Sequence, residues 1–336
     1  MIKNVKKIIG IAAGKGGVGK STVAVNLALA LKELGFSVGI LDADIYGPSL
    51  MKMLEITTPP TEGEGGIIPG SSYGMSCISM AFFNTAATIV RAPIANQVIH
   101  QFIRAVVWGE LDFLVVDFPP GTGDIQLTLL QEVNFCGMVI VTTPQEVALI
   151  DVQKTVEMIQ KTTVPICGVF ENMSYFEEGS RRHFLFGQGG GKRLADSLHL
   201  PLLGEMPIDP QLGIYGDTGK SLFKEAPQST SAEMFLALAA KMIEMTDTLA
   251  VEYSLLEGGS KIKIEWRDGL TREYEGRHVQ RYCPCVICRD IKDNNVQEKV
   301  EMKSVTAVGK YALKIQFSRG CSSGIYPFAM LRKICS

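Results

Sequence analysis

Two lysines stand among glycines near the start of the chain, in Gly14-Lys15-Gly16-Gly17-Val18-Gly19-Lys20-Ser21-Thr22. Glycines leave no Cβ in the way, so successive backbone N–H groups can wrap the phosphates of a nucleotide. Lys20 is spaced to reach the β- and γ-phosphates, and the Ser21 hydroxyl to bind Mg²⁺. The loop follows an apolar run, Ile8 to Ala13, that reads as a buried strand. It precedes Val23, Leu27, Leu31 and Leu34, the spacing of a helix face. Strand, glycine loop and helix in that order make a P-loop, and the helix N-terminus adds partial positive charge.

Carboxylates end the neighbouring apolar runs. Val38-Gly39-Ile40-Leu41 reads as a strand ending at Asp42-Ala43-Asp44. Carboxylates at the C-terminal end of such a strand face the phosphate crevice of an open α/β sheet. One would hold Mg²⁺ through water and the other would orient the attacking water; Asp42 is assigned to the metal and Asp44 to the water. Asp112-Phe113-Leu114-Val115-Val116-Asp117 is a Walker B pattern, in which a buried strand delivers Asp117 to the Mg²⁺ region. The prolines and glycines of Phe118-Pro119-Pro120-Gly121-Thr122-Gly123-Asp124 suit a loop that swings with the γ-phosphate.

The remaining elements position these groups. Strands alternate with helical patterns through the first two-thirds of the chain, which implies a mostly parallel, doubly wound sheet covered on both faces. Residues 55–80 read as an irregular excursion or hairpin, and Ile94 to Val107 as an amphipathic helix carrying Val98, Phe102, Ile103 and Val106. Met138 to Thr142 is a strand, and a helix is expected from about Asp151 to Gln160. The strand Ile166 to Phe170 runs into Glu171-Asn172-Met173-Ser174, where Asn172 offers the donor–acceptor pair a purine edge could use. Leu202 to Pro210 reads as a strand and loop on the base side, adding Pro207 and Asp209 to the candidate nucleotide contacts. A helix from about Ala232 to Met245 closes a first domain, placed at residues 1–250.

Beyond Leu255-Leu256-Glu257-Gly258-Gly259-Ser260, read as a boundary, the pattern becomes β-like. Ile262 to Trp266 and Thr271 to Tyr274 flank Asp268-Gly269 as a hairpin. Tyr311 to Phe317 alternates again, and Pro327 to Ile334 is read as a short helix. This second domain, residues 258–336, holds few large apolar residues, and a metal would staple it. Cys283-Pro284-Cys285-Val286-Ile287-Cys288 supplies a C-x-C-x₂-C run, with Cys321 beyond the second hairpin. Zn²⁺, an iron–sulfur cluster and free thiols are the three readings of these thiols. Cys335 would be an exchangeable further ligand or nothing, and His278 an exposed neighbour.

Composition sets limits. The chain has 336 residues, 46% of them hydrophobic, and a net charge of −2, which provides no broad field for nucleic acid. The basic stretch Met1 to Lys7 is followed by an apolar run cut at Gly14-Lys15, too short for a signal peptide, and no run approaches a membrane span. A cytoplasmic enzyme is expected, without nucleic-acid or membrane partners. Of the eight cysteines, Cys77, Cys136 and Cys167 stand isolated in apolar surroundings as buried thiols.

The motif GKGGVGKST resembles the deviant P-loop of the group containing the nitrogenase iron protein and the cell-division and partition ATPases. That resemblance implies that Lys15 reaches across a homodimer into the partner's nucleotide. DADIYGPS at 42–49, WGELDFLVVDFPPGTGD at 108–124 and VIVTTPQEVALID at 139–151 are similar to the Mrp-type family. So are ENMS at 171–174, FGQGGGKRLA at 186–195 and PLLGEMPIDP at 201–210. The family comprises dimeric ATPases implicated in carrying iron–sulfur clusters to apoproteins. The resemblance covers roughly residues 5–245 and implies binding and slow, Mg²⁺-dependent hydrolysis of ATP, with a cluster shared between subunits.

One departure stands out. Most members follow ENMS with a C-x-x-C pair that holds the bridging cluster; here Tyr175 to His183 contains no cysteine. Carboxylates or a lone histidine do not replace four thiolates. Arg181, Arg182 and His183 there read as an ordinary solvated loop or as a patch for a partner or anion. Some family branches, a plastid type among them, resemble this chain in lacking the pair and in having an added C-terminal domain. That added domain resembles the one that begins gamma-butyrobetaine hydroxylase, where a cysteine run and a later histidine bind zinc. Here Cys321 stands in place of the histidine, making an all-thiolate set of Cys283, Cys285, Cys288 and Cys321 that suits Zn²⁺ or a cluster. The alternative to a cluster carrier is a positioning-type ATPase, a nucleotide-switched binding module without cluster chemistry.

Overall fold

Apolar runs rich in Val and Ile, several of them ending in a carboxylate, become the central strands of one large sheet. The structure, a computed structural model, describes residues 2–83, 92–162, 164–179, 181–247, 250–266, 270–283, 300–308, 312–318 and 324–334. It divides into two compact units, Met1–Met242 and Ile243–Ser336.

In the first unit, β1 (Val5–Ala13) leads through the glycine loop to α1 (Lys20–Glu33) and β2 (Val38–Asp42). The short α2 (Leu50–Met53), the hairpin of β3 (Thr61–Gly63) and β4 (Gly66–Ile68), then β5 (Gly70–Ser72) and β6 (Met75–Ser79) follow. Next come α3 (Ala92–Ala105), β7 (Leu111–Asp117), α4 (Asp124–Glu132) and β8 (Gly137–Thr142). α5 (Glu146–Gln160), β9 (Ile166–Glu171), the hairpin of β10 (Phe176–Glu178) and β11 (Arg181–His183), and α6 (Gly190–Leu198) continue the chain. β12 (Leu202–Glu205), α7 (Pro210–Thr218), α8 (Leu222–Glu225) and α9 (Thr230–Asp247) complete the series.

The eight strands of the sheet run in the order β12-β9-β8-β1-β7-β2-β6-β5. Every neighbouring pair is parallel except β5 with β6, so the expected mostly parallel sheet is what forms. β1 lies between β7 and β8, and the chain moves outward from it first on one side and then on the other. That reversal makes the C-terminal end of β1 a switch point, where α/β sheets leave a crevice for ligands. Ile9, Ile11, Leu114, Val115, Val116, Val139 and Ile140 are fully buried, as strands covered on both faces must be. Among the described residues no helix is long and apolar enough to cross a membrane.

Several elements differ from their expected bounds. Within residues 55–80, expected to be irregular, β6 joins the large sheet beside β2, burying Cys77 and Ile78 completely. α5 begins at Glu146 rather than near Asp151, with extended Gln145 as its N-cap and an acidic residue in its first turn. Leu34 lies outside α1 as its C-cap and is 44% exposed; Gly35 follows at φ 90, the left-handed conformation that ends a helix.

The second unit contains β13 (Ala250–Leu256), β14 (Lys261–Trp266), β15 (Thr271–Glu275) and α10 (Gly276–Arg281). β16 (Met302–Val308), β17 (Ala312–Phe317), β18 (Gly324–Pro327) and α11 (Phe328–Lys333) follow. Two antiparallel sheets form, β13-β14-β15 and β16-β17-β18. Leu255 and Leu256, read as part of a boundary, pair with Ile262 and Lys261 in β13. The turn Asp268-Gly269 and Tyr311 lie outside the described residues. Alternation on β14 and β17 supplies a core of its own, with Ile262, Ile264, Trp266, Tyr274, Leu313, Ile315, Phe317, Tyr326 and Phe328 buried together.

Candidate nucleotide-binding site

Strand register brings the polar residues to one edge of the sheet. Asp117 pairs with Ile11 on β1 and with Asp42 on β2; Ala13 pairs with Val141, and Thr142 with Glu171. The glycine loop leaves β1 at this edge and enters α1. Gly17 and Gly19 have φ of 79° and 83°, left-handed values that a side chain would strain. Gly14 sits against the backbone of Asp151 and Val152 of α5, leaving no room for a Cβ. Gly19 caps α1 without any side-chain hydrogen bond, and the first turn carries no acidic residue. The N–H groups of that turn are therefore open to an anion.

Lys20 Nζ lies 2.6 Å from Asp117 Oδ1 in a buried pair, with side-chain exposures of 7% and 3%. It also lies 3.3 Å from Ser21 Oγ, so the three groups assigned from the sequence to phosphate and Mg²⁺ adjoin. Burial raises the Asp117 carboxyl above its ordinary value despite the opposing Lys20 charge. Asp42 is pushed up to about 7, chiefly by burial and then by the Asp117 charge. Burial is the larger cause, and the single Lys20 ammonium only partly offsets two neighbouring carboxyls.

Asp42 has a structural task as well. Its Oδ1 accepts from the Asp44 N–H at 3.1 Å, and its Oδ2 from the N–H groups of Ser49 and Leu50 at 3.2 Å. The Ser79 hydroxyl on β6 adds a further bond at 3.1 Å. Asp44 is less constrained, accepting only from the Gly47 N–H at 3.2 Å among the described residues. The Ser49 and Thr143 hydroxyls are buried at this edge with no hydrogen-bond partner among the described residues. Neither stood out in the sequence, because nothing in the spacing marks a lone Ser before a four-residue helix or a lone Thr after a strand.

The other expected contacts lie as follows. Lys15 Nζ reaches Gln145 Oε1 at 3.4 Å. Asn172 is 6% exposed, and its Nδ2 donates to the Val18 carbonyl at 2.9 Å, so its amide faces the glycine loop. Asp209 accepts from Gln211 N at 2.9 Å as the N-cap of α7 and from Ser231 Oγ at 2.6 Å. Both its oxygens are thus committed to the fold. Pro207 is buried between Met206 and Ile208, which bond to Glu171 and Tyr175. The loop after β7 is anchored by Gln126, whose Nε2 donates to the carbonyls of Pro119 and Pro120. Gly121, half-buried in that loop, takes φ of 86°.

The cysteines divide into two groups. Cys77 and Cys167 are pushed up to about 12 by burial, so neither is a ready thiolate. Cys283 is buried in the second unit, its Sγ beside Gly324. Cys285, Cys288, Cys321 and Cys335 lie outside the described residues. Among the described residues no group of three or more His, Cys, Asp and Glu is arranged to hold a metal ion. Where relatives of the expected type would carry two cysteines, β10 and β11 form a hairpin with an Arg182–Glu177 ion pair at 3.1 Å and a His183–Glu178 side-chain contact at 3.0 Å.

Comparison with known proteins adds names to this geometry. Residues 4–243 match the ParA-type family model described as NUBPL iron-transfer P-loop NTPase. Residues 253–332 match the gamma-butyrobetaine hydroxylase-like N-terminal model. An iron–sulfur cluster carrier protein of Aquifex aeolicus is 41% identical over 257 residues, 74% of this chain and 70% of that one. A chloroplastic Fe-S cluster assembly factor of Arabidopsis thaliana, HCF101, is 37% identical over 349 residues, which is 99% of this chain. This chain spans 65% of that factor's length. Among solved structures, a nucleotide-binding protein from Archaeoglobus fulgidus in complex with ADP superposes with a TM-score of 0.59 at 35% identity, over 69% of this chain and 93% of that one.

Proposed function

The chain belongs to the family of NUBPL iron-transfer P-loop NTPases, and on that premise we propose that it is a dimeric, Mg²⁺-dependent ATPase delivering iron–sulfur clusters to apoproteins. The observation that carries the nucleotide half is the uncapped start of α1, with Lys20, Ser21 and Asp117 adjoining beneath it. Lys20 is already at the phosphate edge and would exchange Asp117 for the β- and γ-phosphates. Gly14, Gly16, Gly17, Val18 and Gly19 present backbone N–H groups to the same phosphates, and Thr22 follows in the first turn of α1. Ser21, with Asp42 and Asp117 through water, would hold a divalent cation: two buried carboxyls share the one Lys20 ammonium, and the buried Ser49 hydroxyl has no partner among the described residues. These residues would hold Mg²⁺, which would supply positive charge to the phosphate oxygens. Asp44, free of the bonds that occupy Asp42, orients the attacking water.

The relatives named for cluster transport support the second half over a positioning ATPase. The cargo belongs with the C-terminal thiols. The hairpin after Ser174 has no cysteine, and burial keeps Cys77 and Cys167 protonated. Cys283 is the one of the four that lies among the described residues, buried with its Sγ beside Gly324. A set of Cys283, Cys285, Cys288 and Cys321 holds either Zn²⁺ or a cluster, and the two differ in colour.

Chain purified without oxygen is expected to carry one metal centre. Cys283→Ser or Cys288→Ser should abolish it while MgATP binding stays at the parental level. A brown chain with iron and sulfide identifies a cluster, and a colourless chain with zinc a structural site. Neither iron nor zinc under reducing conditions would remove the four-thiolate assignment.

A further inference from the structure

One arginine of the second unit stands on a core face. Cross-strand partners in an antiparallel pair share a side of the sheet. Arg272 on β15 pairs with Ile264, and Tyr274 with Ile262, and both isoleucines are fully buried. Arg272 is therefore directed to the apolar side, where a guanidinium is costly unless it meets an acceptor. Its Nη1 donates to the Arg332 carbonyl at 2.8 Å, which ties β15 to the last turn of α11. Arg332 lays its own guanidinium over the Trp266 ring, with Cζ 5.5 Å from the centroid. The Trp266 indole N–H and the Tyr274 hydroxyl are closed in beside these groups, on residues only 2% and 1% exposed. Neither has a hydrogen-bond partner among the described residues. Burial raises the Tyr274 phenol, while the Arg272 and Arg332 charges and the nearby Trp266 N–H oppose it, so the four groups meet at that hydroxyl.

We propose that Arg272, Arg332, Trp266 and Tyr274 form a binding site for a small oxyanion. Guanidinium and indole N–H groups only donate, and the phenol has a proton to place, so the set matches an acceptor. Two positive charges favour a charged acceptor over a neutral one. Planar guanidinium N–H groups bind the oxygens of carboxylate and phosphate in the same way, so these two share the chemistry and experiment separates them. Arg272 and Arg332 are half-buried, which leaves the site open on their side. It uses none of the residues assigned to nucleotide or metal.

The chain has two tryptophans, so Trp108→Phe leaves Trp266 as the sole indole reporter. Trp108 Nε1 makes no hydrogen bond among the described residues, so that swap removes none. Emission of this chain would be followed while sodium phosphate or sodium acetate replaces sodium chloride at constant ionic strength and pH. Saturating MgADP keeps the phosphate loop occupied throughout. A saturable change is expected: phosphate alone identifies a phosphate site, acetate alone a carboxylate site, and both together an unselective oxyanion site. Adding Arg272→Gln should weaken the response by about tenfold or more, and Tyr274→Phe by about threefold to tenfold. Without the anion Tyr274→Phe should melt no lower than its parent, because the hydroxyl it removes has no bond to lose. The anion should then raise the melting temperature of the unmodified chain more than that of Tyr274→Phe. No saturable change with either anion, or one that Arg272→Gln and Tyr274→Phe leave unaltered, overturns the proposal. Should Arg272→Gln fail to fold, Tyr274→Phe, which keeps its ring in the core, gives the decision.

Discussion

Lys20→Ala is expected to weaken MgATP binding by about 10²–10⁴-fold. A hydrogen bond to a charged partner contributes about 1.5–3 kcal/mol, and Lys20 would serve both the β- and γ-phosphates. The structure adds a second consequence. Lys20 is the buried counter-ion of Asp117 at 2.6 Å, so its removal strands that carboxyl. Asp117 is already raised by burial and would rise further. A carboxyl whose folded-state value is raised contributes its full stability below the unfolded value, about 3.9, and loses it as pH rises through the folded value. The variant should therefore melt close to the parent in mild acid and fall behind it as pH increases. Titration calorimetry checks the affinity, and melting at pH 5.5 and pH 8 checks the linkage. Near-parental ATP affinity in a folded Lys20→Ala protein would contradict the assignment.

Lys15→Ala should leave ATP affinity within about threefold and cut turnover by about 10³-fold or more. Its ammonium makes one long bond, 3.4 Å to Gln145 at the start of α5, and does not touch Asp117 or Ser21 among the described contacts. In the proposed dimer a cation so placed would do little for its own phosphates and would serve those of a second copy of the chain. A charge supplied from across an interface contributes about 10³–10⁵ in other P-loop enzymes. Single-turnover hydrolysis measures the loss, and sedimentation with ATP, ADP and no nucleotide measures the dimer. Unchanged turnover, or one oligomer under all three conditions, would count against a trans role.

How much of this could be read from the sequence follows from how local each signal is. The glycine loop, the strands β1, β2, β7 and β8, and their terminal aspartates are continuous stretches, and the structure aligns Asp42 and Asp117 across adjacent strands. The helices α6 and α7 passed unnoticed because they begin in Gly190-Gly191 and Pro210, residues that look like loop. For α7 a signal existed: Asp209 before Pro210 is a helix-start pair, and the structure uses Asp209 as that cap. Reading Asp209 beside a nucleotide missed this. Asn172 was singled out for a purine edge, and the structure pairs its amide with Val18, too far away in sequence for any spacing rule to find. The same holds for Asp42, where Ser49 and Ser79 arrive from separate turns to complete its hydrogen bonds. In the second unit the alternation of β14 and β17 announced strands, while β16 and β18 became strands only by pairing with β17.

Delivery of a cluster is the activity on which the reading turns, and one transfer assay addresses it. The chain would be loaded with iron and sulfide without oxygen, freed of excess reagent, and mixed with an apo-ferredoxin. Visible absorbance is expected to pass from the chain to the ferredoxin, at a rate that changes when MgATP is present. In the Lys20→Ala chain the rate should no longer respond to MgATP. A parent that binds MgATP normally yet leaves the ferredoxin colourless would contradict the carrier function.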